Sequence, residues 1–214
     1  MLLYANGCSM TFGEEMGPLT DPICNATAWP HHLGKLMGIP VMNDSLGGGS
    51  NDRIVRTTVK FIAHYLRKQP AAELRVVIGW TFPIRREFHD AIERRWYHFR
   101  PNDPTSAGAL TPVYCPTFCS ETESIGRYCA QMLSLQGLLK QHRIAYTFFS
   151  ALSPPRFPIP ATISRLIDQT RFFLPESDFW GWTRQQQYPC GPGGHPLQAA
   201  HHAWAAAIYQ AMWQ

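Results

Sequence analysis

Four short apolar runs, each closed by a turn, constrain this chain more than any other feature. Leu2–Asn6 ends at once in Gly7-Cys8-Ser9, and Ile39–Met42 leads into Asp44-Ser45-Leu46-Gly47-Gly48-Gly49-Ser50-Asn51. Leu74–Trp80 and Ile144–Phe149 are the other two. Helical patterns lie among them. Trp29–Met37 sets Trp29, Leu33 and Leu36 at helical spacing, with Pro30 allowed in the first turn. A helix from about Asp52 to Lys68 turns Ile54, Val55, Val59, Ile62 and Leu66 inward. Ser120 and Glu123 predict a capping box before a helix at Ile125–His142. Ala161–Phe173 and Pro196–Trp213 read as two more helices. This βα rhythm predicts a mainly parallel sheet with helices on both faces.

The chain has 214 residues, a length that predicts one domain over 1–214. Residues 82–119 fit no regular element and read as an insertion or lid at the C-terminal end of the third strand, where open α/β sheets place their ligands. A 45% hydrophobic share excludes disorder over the whole chain. The net charge of +4 comes without a basic stripe, so no nucleic-acid partner is expected. The densest basic cluster, Arg85, Arg86, Arg94 and Arg95, could hold one anionic group. No apolar run is long enough to span a bilayer, and Met1–Ala5 lacks the basic start of a secretory leader. A cytoplasmic protein with no membrane partner is therefore expected, and its six cysteines are expected to be free thiols. Cys115 and Cys119 lack the second ligand pair of a zinc site, and neither metal nor cofactor is expected.

Three turns carry residues suited to chemistry. In the first, Ser9 follows strand one directly, where the start of a helix would lift its hydroxyl and N–H to the sheet edge. The second holds three consecutive glycines, which let backbone approach a ligand and present N–H groups; a phosphate loop is excluded because no Gly-Lys-Ser or Gly-Lys-Thr follows. In the third, Gly193-Gly194-His195-Pro196 sets His195 in a rigid turn just before a helix, a suitable place for a general base.

The order of these blocks resembles the SGNH/GDSL-type hydrolases. Gly-Cys-Ser follows strand one, Ser-Leu-Gly-Gly-Gly-Ser-Asn follows strand two, Gly79-Trp80-Thr81 ends strand three, and Gly-Gly-His-Pro precedes the last helix with His201 and Trp204. The resemblance covers the whole chain through its ordered blocks. It implies a flavodoxin-like three-layer α/β/α fold, Ser9 as nucleophile and His195 as general base. It implies an oxyanion hole from the amides of Ser9 and Gly48, with Gly47 and Gly49 as register alternatives. The implied reaction is double displacement on an ester.

This chain departs from the family pattern at three places. Cys8 stands where Asp is usual, and Thr81 where the third block supplies Asn. Asn51 could replace that donor from the glycine loop. Pro192 occupies the place of the acid three residues before the histidine. The His195 ring is therefore expected to be held by a backbone carbonyl of residues 190–194, or by Asp178. Arg53 and Arg56, with Arg85, Arg86 and Glu87 after strand three, could line the same edge. The expected substrate is a small-molecule or carbohydrate ester that loses a small acyl group, such as acetyl, through a Ser–His dyad. A ligand-binding domain without hydrolysis and a biosynthetic acyltransferase are the alternatives.

Overall fold

A computed structural model describes residues 1–17, 26–100, 103, 120–152 and 159–213. Its centre is a four-stranded sheet in the order β2-β1-β3-β6, from β1 (Leu2–Asn6), β2 (Val41–Asn43), β3 (Leu74–Trp80) and β6 (Ala145–Ser150). Every pairing within it is parallel. Isolated bridges from Phe148 to Phe172 and from Ser150 to Asp178 continue the parallel pattern past β6.

Side-chain alternation along the strands sorts the core into two layers. Leu3, Ala5, Val77 and Phe149 face one side, where α2 (Trp29–Met37), α6 (Phe179–Gln185) and α7 (Gln198–Met212) supply Trp29, Leu33, Phe179, Trp204 and Ile208. Tyr4, Val76, Ile78, Trp80, Tyr146 and Phe148 face the other, against α3 (Asn51–Tyr65) and α4 (Glu121–Gln141). β3 is covered on both faces, which is why its sequence reads as a continuous apolar run. The result is a three-layer α/β/α fold. No described helix is long and apolar enough to cross a membrane.

Four expectations change in detail. Residues 82–119 are not wholly irregular: β4 (Arg86–Asp90) and β5 (Arg95–Phe99) form an antiparallel hairpin, in register from Arg86 opposite Phe99 to Asp90 opposite Arg95. Residues 101, 102 and 104–119, Cys115 and Cys119 among them, lie outside the described residues. The single helix expected over Ala161–Phe173 is instead the one-turn α5 (Ala161–Ser164) and a 3₁₀ turn at Gln169–Arg171, because Asp168 caps the second piece by accepting from Thr170 N. The Ser120 cap of α4 is present, but Glu123 turns to Arg86 and Arg127 instead of back to Ser120. Val59, expected inward, is exposed; Thr58 takes the buried place and its hydroxyl accepts from Asn6 Nδ2 at 3.0 Å.

A buried histidine ties α7 to α2. His201 Nδ1 accepts from Trp29 N at 3.0 Å, and the ring hydrogen-bonds to the Pro196 carbonyl. Burial, first of all, pushes its pKa down to about 3; nearby His32 and His195 push the same way. The unfolded chain takes up this proton below about pH 6.5, while the folded one refuses it until about pH 3. Stability from this site is thus complete above pH 6.5 and falls as the pH drops toward 3. Between pH 7 and pH 5 urea titration should record a loss about 2 kcal/mol larger in the wild type than in His201→Gln. Equal losses in the two proteins would remove His201 from the acid response.

Candidate active site

All four parallel strands end at one edge, and the turns after three of them meet there. Asn6 ends β1 with its side chain fully buried. Its Nδ2 donates to Thr57 Oγ1 at 2.8 Å and to Tyr4 Oη at 3.0 Å, while its Oδ1 accepts from Gly7 N at 2.8 Å. This network fixes the turn on which Ser9 stands. Ser9 opens the one-turn helix α1 (Ser9–Phe12) and is 3% exposed. Leu46 N donates to Gly7 O at 3.2 Å, so the glycine loop lies directly against that turn.

The two amides expected to meet an oxyanion are those of Ser9 and Gly48. Among the described residues, neither Ser9 N nor Gly48 N donates a hydrogen bond, although both residues are buried. Buried N–H groups without a partner are rare and mark a place for an acceptor. The Gly49 amide, by contrast, closes a turn onto Leu46 O at 2.9 Å. Gly48 has φ +69°, and a Cβ there would meet Arg100 Cδ at 2.9 Å, so only glycine fits without strain.

Asn51 does not stand free at this edge. Its Oδ1 accepts from Thr81 N and its Nδ2 donates to Thr81 O, both at 2.9 Å. The side chain thus mimics a strand partner and pins α3 to the end of β3. Thr81 Oγ1 accepts from Arg85 Nη1 at 3.0 Å. Arg53 is held away: Nη1 donates to Asp44 O at 2.6 Å and Nη2 pairs with Asp44 Oδ1 at 3.1 Å. Arg56 grips the buried Glu87 carboxylate with two bonds of 2.7 Å, locking the β4–β5 hairpin to α3. The four arginines of the sequence cluster part company, since Arg86 pairs with Asp52 and Glu123 and Arg95 with Glu93.

The His195 ring is held by a carboxylate that the sequence reading did not find. Glu15 Oε2 accepts from His195 N and contacts His195 Nδ1, both at 2.9 Å, and its Oε1 accepts from Gly193 N at 2.5 Å. This replaces the backbone carbonyl or Asp178 expected in that role. Asp178 instead caps α6, accepting from Gly181 N at 2.8 Å. Burial raises the Glu15 pKa, but the N–H groups of Gly193 and His195 and the imidazole outweigh it, so the carboxyl lies below its ordinary value. An ionised carboxylate can only accept, so it selects the tautomer with the proton on Nδ1 and leaves the lone pair on Nε2.

Glu15 reaches this place because α1 is only one turn long. Gly13 ends it at φ +87°, and Glu15 itself has φ +71°, rare for a residue with a side chain. Opposite, a Cβ at Gly191 would lie 2.7 Å from Glu15 Oε2. The sequence signals were Glu14-Glu15 just after the serine block and glycines spaced to admit a carboxylate. Glu14 adds a second acid, with Oε2 3.8 Å from His195 Nε2. Among the described residues, no hydrogen bond joins Ser9 Oγ to His195, and no three His, Cys, Asp or Glu side chains gather as a metal set.

Comparison with known proteins places this architecture. The fold matches that of a protein of the SGNH hydrolase type from Slackia heliotrinireducens, at 13% identity over 99% of this chain and 98% of the other, with a TM-score of 0.52. The psychrotrophic esterase EstA from Pseudoalteromonas sp., in a structure inhibited by monoethylphosphonate, matches at 10% identity over 98% and 95%, with a TM-score of 0.54. A carbohydrate esterase family 2 enzyme with a carbohydrate-binding domain, from Corynascus thermopiles (Myceliophthora fergusii), matches at 16% identity over 99% of this chain and 65% of the other, with a TM-score of 0.55. The architecture is therefore the α/β fold of the SGNH hydrolases. By sequence, the chain belongs to the family of unknown function DUF6071, which matches residues 15–213. A search of the curated proteins finds no match.

Proposed function

We propose that this chain is a serine acyl hydrolase in which Ser9, His195 and Glu15 act together. The observation that carries this reading is the Glu15–His195 contact of 2.9 Å, which ties the histidine loop to the end of the helix that begins at Ser9. In the reaction, His195 Nε2 takes the proton of Ser9 Oγ as that oxygen bonds to the ester carbonyl carbon. The carbonyl π pair moves to the oxygen, which rests on the amides of Ser9 and Gly48. The C–O bond to the alcohol then breaks, and the leaving oxygen takes the proton from His195. Water repeats the sequence on the acyl-serine and frees the acid. Glu15 holds the ring and stabilises the imidazolium in both halves.

The substrate in this reading is an ester of a small acyl group, such as acetyl, on a polar or carbohydrate-like alcohol. The carbohydrate esterase neighbour supports that class by fold alone. A fluorophosphonate tests the mechanism, because it needs an activated serine and no knowledge of the substrate. Intact-mass and peptide analysis should find one adduct, on Ser9, absent from Ser9→Ala and His195→Ala. Absence of an adduct in the folded wild type would favour a ligand-binding domain that does not hydrolyse.

A further inference from the structure

Charge is divided along the three glycines of the loop after β2. Glu14 Oε2 lies 2.9 Å from where a Cβ of Gly47 would be, on the side of His195. Arg100 Nη1 lies 3.1 Å from the corresponding point of Gly48. Arg85 Nη1 lies 3.5 Å from Gly49 O. The proposed oxyanion site is thus acidic at its histidine end and basic at the end beside Thr81.

The arginines around this edge differ in one respect. Arg53 pairs with Asp44, Arg56 with Glu87, Arg86 with Asp52 and Glu123, Arg100 with Asp103, and Arg127 with Asp52 and Glu123. Arg85 has no carboxylate within ion-pair distance among the described residues. Arg85 is nevertheless fixed in place. Its Nη1 spans Thr81 Oγ1 and Gly49 O, and its guanidinium lies 5.4 Å from the centre of the Phe82 ring. The two hydrogen bonds use Nη1 alone. The Nε and Nη2 edge, which matches a carboxylate or phosphate with two parallel bonds, carries no hydrogen bond among the described residues.

We infer that the ester substrate bears an anionic group, a carboxylate or phosphate, gripped by the Nε/Nη2 edge of Arg85 beside Gly49. This rests on the serine-hydrolase reading for the reaction, but not for the binding. The acids at the histidine end repel the same group, so the charge division orients the substrate as well as holding it. Charge-assisted bidentate contacts are among the stronger polar ones, so the preference should be large.

The test compares anionic esters with neutral ones of the same skeleton: 4-nitrophenyl hemisuccinate with its methyl ester, and 4-acetoxybenzoate with methyl 4-acetoxybenzoate, after subtraction of spontaneous hydrolysis. In the wild type, the anionic member of at least one pair should have the higher kcat/KM by roughly tenfold or more. The pair that responds tells whether the anion belongs to the acyl or the alcohol side. Arg85→Gln should bring the ratio to about one, and Arg85→Lys should keep part of it. A ratio near one in both wild-type pairs overturns the inference. So does an equal fall in kcat for charged and neutral esters in Arg85→Gln, which would make Arg85 an oxyanion donor instead. If no ester turns over and the phosphonate leaves Ser9 unlabelled, the hydrolase reading fails, and calorimetric titration with succinate and phenyl phosphate decides the binding separately. Binding to the wild type that Arg85→Gln loses sustains the inference; no binding to either protein ends it.

Discussion

Glu15→Gln should lower kcat/KM by roughly 10³–10⁴, about 4–5.5 kcal/mol of transition-state stabilisation. Two losses add up. The charge that stabilises the imidazolium disappears, and the amide NH₂ cannot accept. Glu15 receives three N–H groups: Gly193 N on one oxygen, and His195 N and Nδ1 on the other. Whichever way the glutamine amide turns, at least one donor faces another donor, so the loop carrying the base is pushed off position. Asp178→Asn gives the contrast. That residue caps α6 by accepting from Gly181 N, a task asparagine performs nearly as well, so the rate should stay within about threefold of wild type. Steady-state kinetics on one neutral ester, with urea melts to show that both variants fold, separate the outcomes. Glu15→Gln retaining a tenth of wild-type activity would falsify the orienting role.

The fold was legible because its signals are local. Strand β3 buries both faces and therefore spells an uninterrupted apolar run; α2 matches its expected bounds of Trp29–Met37, where Pro30 suits the first turn and Gly38 takes the left-handed C-cap at φ +66°. Expectation failed where a distant contact overrode local pattern. The β4–β5 hairpin looks irregular in sequence because its organising residue, Glu87, is a buried charge whose partner, Arg56, comes from another element. The break inside 161–173 comes from the Asp168 cap, reinforced by Gln136 Oε1, which accepts from Asp168 N at 2.8 Å. Neither partner can be read from the segment that it shapes.

At the site, the blocks named their own backbone but not the groups that complete them. The order of the Gly-Cys-Ser, glycine-loop and Gly-Gly-His blocks pointed to Ser9 and His195 through its resemblance to the SGNH/GDSL-type hydrolases. Three residues before His195, where the family pattern that the chain resembles has an acid, stands Pro192. In the proposed site a carboxylate comes instead from just after the serine block, from Glu15, whose φ of +71° no local propensity favours. Asn6 was missed for a related reason. In sequence it is the last residue of a strand, and only the packing of α3 shows that its amide holds the serine turn. Asn51 and Arg53 were placed at the right edge, yet their hydrogen bonds run to protein groups, because both cap the gap between α3 and the strand ends.

Trp204→Ala should be the largest loss of stability in the layer that anchors His195, about 3–5 kcal/mol by urea unfolding with an unchanged slope. Trp204 is fully buried on α7, the helix that starts just after the histidine turn. Its ring lies 4.8 Å from Phe179, 5.0 Å from both Phe173 and Trp182, and 5.3 Å from Phe149. It therefore joins β6, α6 and α7 in one aromatic cluster, and removing it leaves a cavity walled by large rings that cannot collapse. Trp204→Phe distinguishes packing from the indole N–H. Among the described residues Nε1 is buried without a hydrogen-bond partner, a state that costs about 1–3 kcal/mol. Phenylalanine removes that penalty while giving up part of the ring, so the two effects largely offset. Its loss should stay below about 1.5 kcal/mol, less than half that of alanine. If phenylalanine costs as much as alanine, the indole nitrogen has a partner that stabilises the fold, and the packing account of this layer is wrong.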